Sequence, residues 1–267
     1  MGYTPPIFFL GLKNLISTIV VYMLVKLRGV KYPSKNMLKF FFLISIMFVI
    51  DQVFWISGLN LVSPGESVIL FYTYPFMVAL SSYLVVREAL VPSKLLGIGL
   101  GFLGVVTFSI GNSHFMLNPI GYVFMLIAAS GWSLNLDFTT KWCQDTDSRM
   151  LSFINLTVST SVLLLSSIFV ERIEVVTTFR AEVFFALFYG GLGDVLALIA
   201  WFKLTKHWEP TRMATYAFLT PLLTVILSWL ILDQSLEVSQ IAAMAIIFAG
   251  IILVNPPKPE NSSDTIL

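Results

Sequence analysis

Apolar stretches of about 20 residues alternate with short polar links along the whole chain. A helix of about 20 apolar residues is long enough to cross the hydrocarbon core of a bilayer. Nine such stretches are read: 5–27, 38–61, 66–86, 94–111, 119–140, 149–170, 182–204, 210–232 and 238–255. The links at 28–35, 63–66, 87–93, 111–119, 144–148, 171–180, 206–210 and 233–237 are rich in proline, glycine and charged residues. Those residues end helices or face water. The tail, 256–267, is short and polar and is expected to be disordered.

The pattern repeats. Residues 46–107 and 192–253 align without a gap at an offset of 146. Trp55 falls on Trp201, Pro64 on Pro210, Pro75 on Pro221, Phe102 on Phe248 and Gly104 on Gly250. The same offset carries span 149–170 onto the first span, whereas span 119–140 has no counterpart. The first unit, 1–111, therefore has four helices and the second, 112–255, has five. A five-helix unit repeated once is inverted in the membrane, so the expected parent has ten helices and this chain is expected to lack the first, through a late start codon, a truncation or a real loss. Duplicated halves in a membrane protein point to a transporter whose halves rock about a central site.

Apolar residues make up 57% of the chain and charged residues 12%, which excludes an ordinary soluble domain. The net charge of +1 argues against nucleic acid as a partner. Cys143 alone cannot form an internal disulfide or a Cys-based metal cluster. His114 and His207 sit in separate links, so no metal site and no cofactor are expected. Thirteen Lys and Arg residues fall in one set of alternate links plus the tail, against Arg172 and Arg180 in the other. The positive-inside rule then puts the C-terminus and the tail in the cytoplasm.

The run Leu198-Ile199-Ala200-Trp201-Phe202, Pro210-Thr211-Arg212-Met213-Ala214, Leu219-Thr220-Pro221-Leu222 and Phe248-Ala249-Gly250-Ile251 resembles the EamA-like branch of the drug/metabolite transporter superfamily. The first half repeats the order with Pro64-Gly65-Glu66, Tyr74-Pro75-Phe76 and Arg87-Glu88-Ala89-Leu90. Gln234 stands where the second half of the family carries Glu, and Lys13 where the first span carries Arg. The resemblance implies an all-α polytopic protein of the cell membrane, built as two inverted repeats around a cavity. It implies alternating-access transport, mostly export, of small polar metabolites such as amino acids, and no enzymatic activity. The expected partners are a small-molecule substrate and the lipid bilayer, and a homodimer is compatible with it. The substrate, direction and coupling ion are not legible.

Ionisable residues deep in apolar spans are costly and usually face a cavity or one another. Lys13, Asp51 and Asp194 lie mid-span, and Asp137 lies nearer a boundary. At the repeat offset, Asp51 and Asp194 differ by three residues, about one helical turn. Lys13 can pair with either of them or meet a substrate carboxylate, and one Asp is left over. Trp132, Asn135 and Asn155 are further cavity candidates, followed by Trp55, Trp201, Tyr74 and Tyr216. Asn155 can equally hydrogen-bond a neighbouring helix. Pro75 and Pro221 are expected to kink their helices, as hinges or as fixed curvature. Glu66 and Glu88, at span ends, are expected to be solvated or to cap helices. A rival reading comes from Gly191-Leu192-Gly193-Asp194, which matches the GxGD motif of intramembrane aspartyl proteases. It leaves the repeat unexplained and lacks a Tyr-Asp partner. A non-transporting structural membrane protein is a third reading.

Overall fold

The computed structural model describes residues 5–110, 118–171, 181–232 and 238–255. The links at 172–180 and 233–237, His114, Gln234 and the tail lie outside them. Within these residues the chain folds into α1 (Pro6–Leu27), α2 (Leu38–Leu59), α3 (Pro64–Phe71), α4 (Tyr74–Val85), α5 (Pro92–Ile110) and α6 (Pro119–Trp142). There follow α7 (Ser148–Val170), α8 (Ala181–Leu204), α9 (Pro210–Tyr216), α10 (Leu219–Leu232) and α11 (Val238–Val254). By length and composition α1, α2, the α3–α4 pair, α6, α7 and α8 can each cross a membrane. Large apolar side chains such as Leu84, Phe169, Phe185 and Leu196 are more than 60% exposed. That outer surface suits lipid rather than water.

The polar links start the helices. Pro6, Pro64, Pro75, Pro119 and Pro210 occupy first-turn positions, where the missing N–H costs nothing. Ser63 and Glu66 form a capping box on α3. Glu66 is buried and also accepts from the Tyr122 hydroxyl, so it is a cap but not a solvated one. Asn118 caps α6 and Asp147 caps α7. The Arg149 guanidinium beside Asp147 holds that carboxyl below the usual carboxylate range. Both Glu171 oxygens accept, at 2.8 Å, from Ile7 N and Phe8 N at the start of α1. A carboxylate there complements the helix dipole.

Two pairs of helices related by the 146-residue offset, α5 with α11 and α1 with α7, pack against one another in opposite directions, as an inverted repeat allows. Gly97 of α5 lies against Gly250 and Val254 of α11, while Gly104, further along α5, lies against Ala243 and Ile247. A Cβ on Gly250 would come within 2.6 Å of backbone atoms of Gly97 and Gly101, so only glycine permits this approach. In the α1–α7 pair, Asn14 meets Ser159 and Ile7 meets Glu171. Further contacts tie α2 to α6 and α7, α1 to α8, and α4 to α6.

Pro75 and Pro221 do more than kink. The chain makes a turn at 72–73 before α4 and at 217–218 before α10. Each proline sits in the first turn of the second piece, and its ring excludes an α-helical carbonyl four residues earlier, at Phe71 and Ala217. One stretch read as a single span in each half is therefore a short helix followed by a longer one.

Candidate functional site

A cavity of 580 Å³ lies where both broken helices meet. Phe71, Tyr72 and Tyr74 enter from the first break, and Tyr216, Ala217 and Thr220 from the second. Lys13 of α1, Asp51, Gln52 and Trp55 of α2, Trp132 of α6 and Trp201 of α8 complete its middle. Leu10, Leu59, Ser67 and Val68 also line it, and these lie near the ends of α1, α2 and α3. The cavity thus runs from mid-span toward the ends of the molecule remote from the lysine-rich links.

Lys13 Nζ lies 2.6 Å from Asp194 Oδ2, which resolves the choice of its partner. Glycines make room for that pair. A Cβ on Gly190 would stand 3.2 Å from Lys13 Cδ, and one on Gly191 would stand 3.2 Å from Lys13 O. Ser17 Oγ donates to Gly191 O at 2.9 Å and fastens α1 to α8 there. Gly190 and Gly191 thus serve helix approach, and Asp194 faces a lysine rather than a second aspartate. Asp51 is buried and lines the cavity. Gly131 of α6 sets its place, since a Cβ there would meet Asp51 N at 2.8 Å.

The aromatic lining is held from both halves. Trp132 and Trp201 rings lie 5.6 Å apart. Tyr74 donates from its hydroxyl to Ala214 O at 3.2 Å. Asn135 and Asn155 are outside the cavity lining. Asn135 Nδ2 donates to Ile44 O at 2.9 Å and ties α6 to α2, and Asn155 Nδ2 donates to Leu151 O within α7.

Several polar groups escaped the sequence reading. Gln52 Oε1 accepts from Asn14 Nδ2 at 2.5 Å and Ser159 Oγ at 2.9 Å, joining α1, α2 and α7 beside the cavity. Asn14 and Gln52 each adjoin a mid-span charge in sequence, which was the available signal. At the lysine-rich end, Lys94 Nζ donates to Glu88 Oε1 and to Glu209 Oε2, both at 2.8 Å. Glu88 Oε2 accepts from Thr211 N at the start of α9. Glu88 is therefore buried and paired, contrary to a solvated span end. Just inside this cluster, Ser82 Oγ donates to the buried Asp137 Oδ1 at 2.5 Å. Among the described residues no cluster of three His, Cys, Asp or Glu side chains is placed to hold a metal ion.

Residues 1–110 and 119–255 match the EamA-like transporter family. The chain belongs to that family. An uncharacterized transporter of Bacillus subtilis (strain 168), YvbV, is 26% identical over 100% of this chain and 88% of its own length. An uncharacterized transporter of Acidianus ambivalens is 28% identical over 97% of each. Protein PecM of Dickeya dadantii (strain 3937) is 27% identical over 72% of this chain and 68% of its own. One solved crystal structure shares the fold, with a TM-score of 0.81 and 20% identity over 95% of this chain and 89% of that one. This EamA-like chain is thus a multi-pass membrane protein of a transporter family.

Proposed function

We propose that the chain is a secondary transporter of small polar organic metabolites, with export as its direction, working by alternating access around the 580 Å³ cavity. The observation that carries this is the convergence of two broken helices, one from each half, on one charged, aromatic cavity. Interrupted helices at a repeat interface are where transporters place their sites, because the break frees backbone groups and lets each half move.

The basic links lie at the Glu88–Lys94–Glu209 end, and the positive-inside rule makes that end cytoplasmic, along with the C-terminus. The cavity then faces outward while the ionic cluster closes the cytoplasmic end. Lys13 and Asp194 join α1 to α8 at the cavity wall, where rocking of the halves would strain or break the pair. Trp132, Trp201 and Tyr74 shape the wall.

Two-sided access tests this reading. Thr220→Cys, placed in a Cys143→Ser background, would be exposed to a membrane-impermeant maleimide in right-side-out and inside-out vesicles. Alternating access predicts labelling from both sides, faster from outside. Labelling from one side only, in folded protein, contradicts it.

A further inference from the structure

Charge around the cavity does not cancel. Lys13 and Asp194 neutralise each other at 2.6 Å. Asp51 lines the same cavity, is only 7% exposed, and has no hydrogen-bond or ion-pair partner among the described residues. A buried carboxylate without a partner is costly and otherwise takes up a proton, so its charged form calls for a positive counter-charge from whatever enters the site. The rest of the wall agrees. Seven aromatic side chains line the space, three Trp, three Tyr and one Phe. Aromatic faces are electron-rich and attract cations, most strongly where water is excluded. Among the described residues no lining cation is free for an anion, because the lysine that lines the cavity, Lys13, is already engaged.

We propose that the cavity selects organic cations, amines or quaternary ammonium ions with an apolar or aromatic body, and that Asp51 is their counter-charge. The volume of 580 Å³ suits one such molecule. A zwitterion is disfavoured, since its carboxylate would need Lys13 released from Asp194. An anion is disfavoured further, because it would face Asp51 directly. As a statement of substrate class this rests on the transport reading, but cation binding itself does not require it.

Three probes with the same ring and different charge separate the cases. Phenethylamine is cationic at pH 7, phenylalanine is zwitterionic, and 3-phenylpropionate is anionic. Binding to the purified full-length protein would be followed by calorimetry and by quenching of tryptophan fluorescence. The expected order has phenethylamine at least tenfold tighter than either of the others. Asp51→Asn should weaken phenethylamine at least tenfold, and Asp51→Glu should restore most of it. Equal binding of phenylalanine or 3-phenylpropionate, or unchanged phenethylamine binding by a folded Asp51→Asn protein, would overturn the proposal. If Asp51→Asn does not fold, the ranking of the three probes on the wild type decides alone. Cation binding without flux in proteoliposomes would sink the transport reading and keep this site. Flux of a zwitterion that Asp51→Asn leaves intact would do the reverse.

Discussion

At the scale of single residues, three mid-span charges have two different situations. Lys13 and Asp194 are 20% and 30% exposed in their side chains and satisfy one another. Asp51 is more buried and stands alone. Insertion cost makes all three stand out in a sequence, because a charge in an apolar span is rare unless it has a use. Which aspartate takes the lysine was not legible there, since it depends on how closely α1 and α8 approach at Gly190 and Gly191. The same limit explains Asn135. A mid-span amide has the same sequence signature whether it faces a cavity or a backbone carbonyl, and here it meets Ile44 O. The pairing of Lys13 and Asp194 makes a stability prediction. Lys13→Met alone should destabilise the fold, seen as a lower thermal midpoint, by less than the roughly 3–5 kcal/mol of a fully buried pair, because this one is partly exposed. The double variant Lys13→Met, Asp194→Leu should recover most of that loss. A double variant no more stable than the sum of the singles would show that the two groups are energetically independent.

At the scale of elements, the hydropathy pattern gave nine stretches, and the helices follow them closely. Helix starts were legible because Pro64 and Pro119 suit a first turn and the Ser63 and Asn118 side chains accept from first-turn N–H groups. The breaks at 72–73 and 217–218 were only half legible. Proline announces a lost hydrogen bond, but whether the helix bends or separates is settled by its neighbours. Here the turns place Tyr72, Tyr74, Tyr216 and Thr220 on the cavity, so separation has a use. Replacing both prolines, Pro75→Ala with Pro221→Ala, restores two donors and favours continuous helices. The expected outcome is equal or higher thermal stability with transport reduced at least tenfold. Unchanged transport would mean that the breaks are incidental to movement.

At the scale of the whole molecule, the internal offset of 146 relates α5 to α11 and α1 to α7 but does not say that they touch; their antiparallel packing depends on close approach, as at Gly97, Gly104 and Gly250. The closure of the lysine-rich end was not foretold. It joins Glu88 and Lys94 from the first half to Glu209 and Thr211 from the second, residues far apart in sequence and individually ordinary. Lys94 holds two carboxylates at once, so Lys94→Met should leave the buried Glu88 without its counter-charge and Glu209 with only Arg212, 3.5 Å away, and so loosen that end. Ser82→Cys, in the Cys143→Ser background, should then react with an impermeant maleimide from the lysine-rich side at least tenfold faster than with Lys94 intact. No change in rate would remove the cluster from the closing of the molecule.

Solute flux bears most directly on the central claim that this cavity carries transport. Proteoliposomes holding the wild type or Asp194→Asn, and loaded with a mixed panel of amines, amino acids and related metabolites, would be sampled by mass spectrometry. The account predicts selective movement of one chemical class by the wild type, cut at least tenfold by Asp194→Asn in protein that still folds. Absence of flux from well-folded wild type across the panel, or flux indifferent to Asp194, would contradict it.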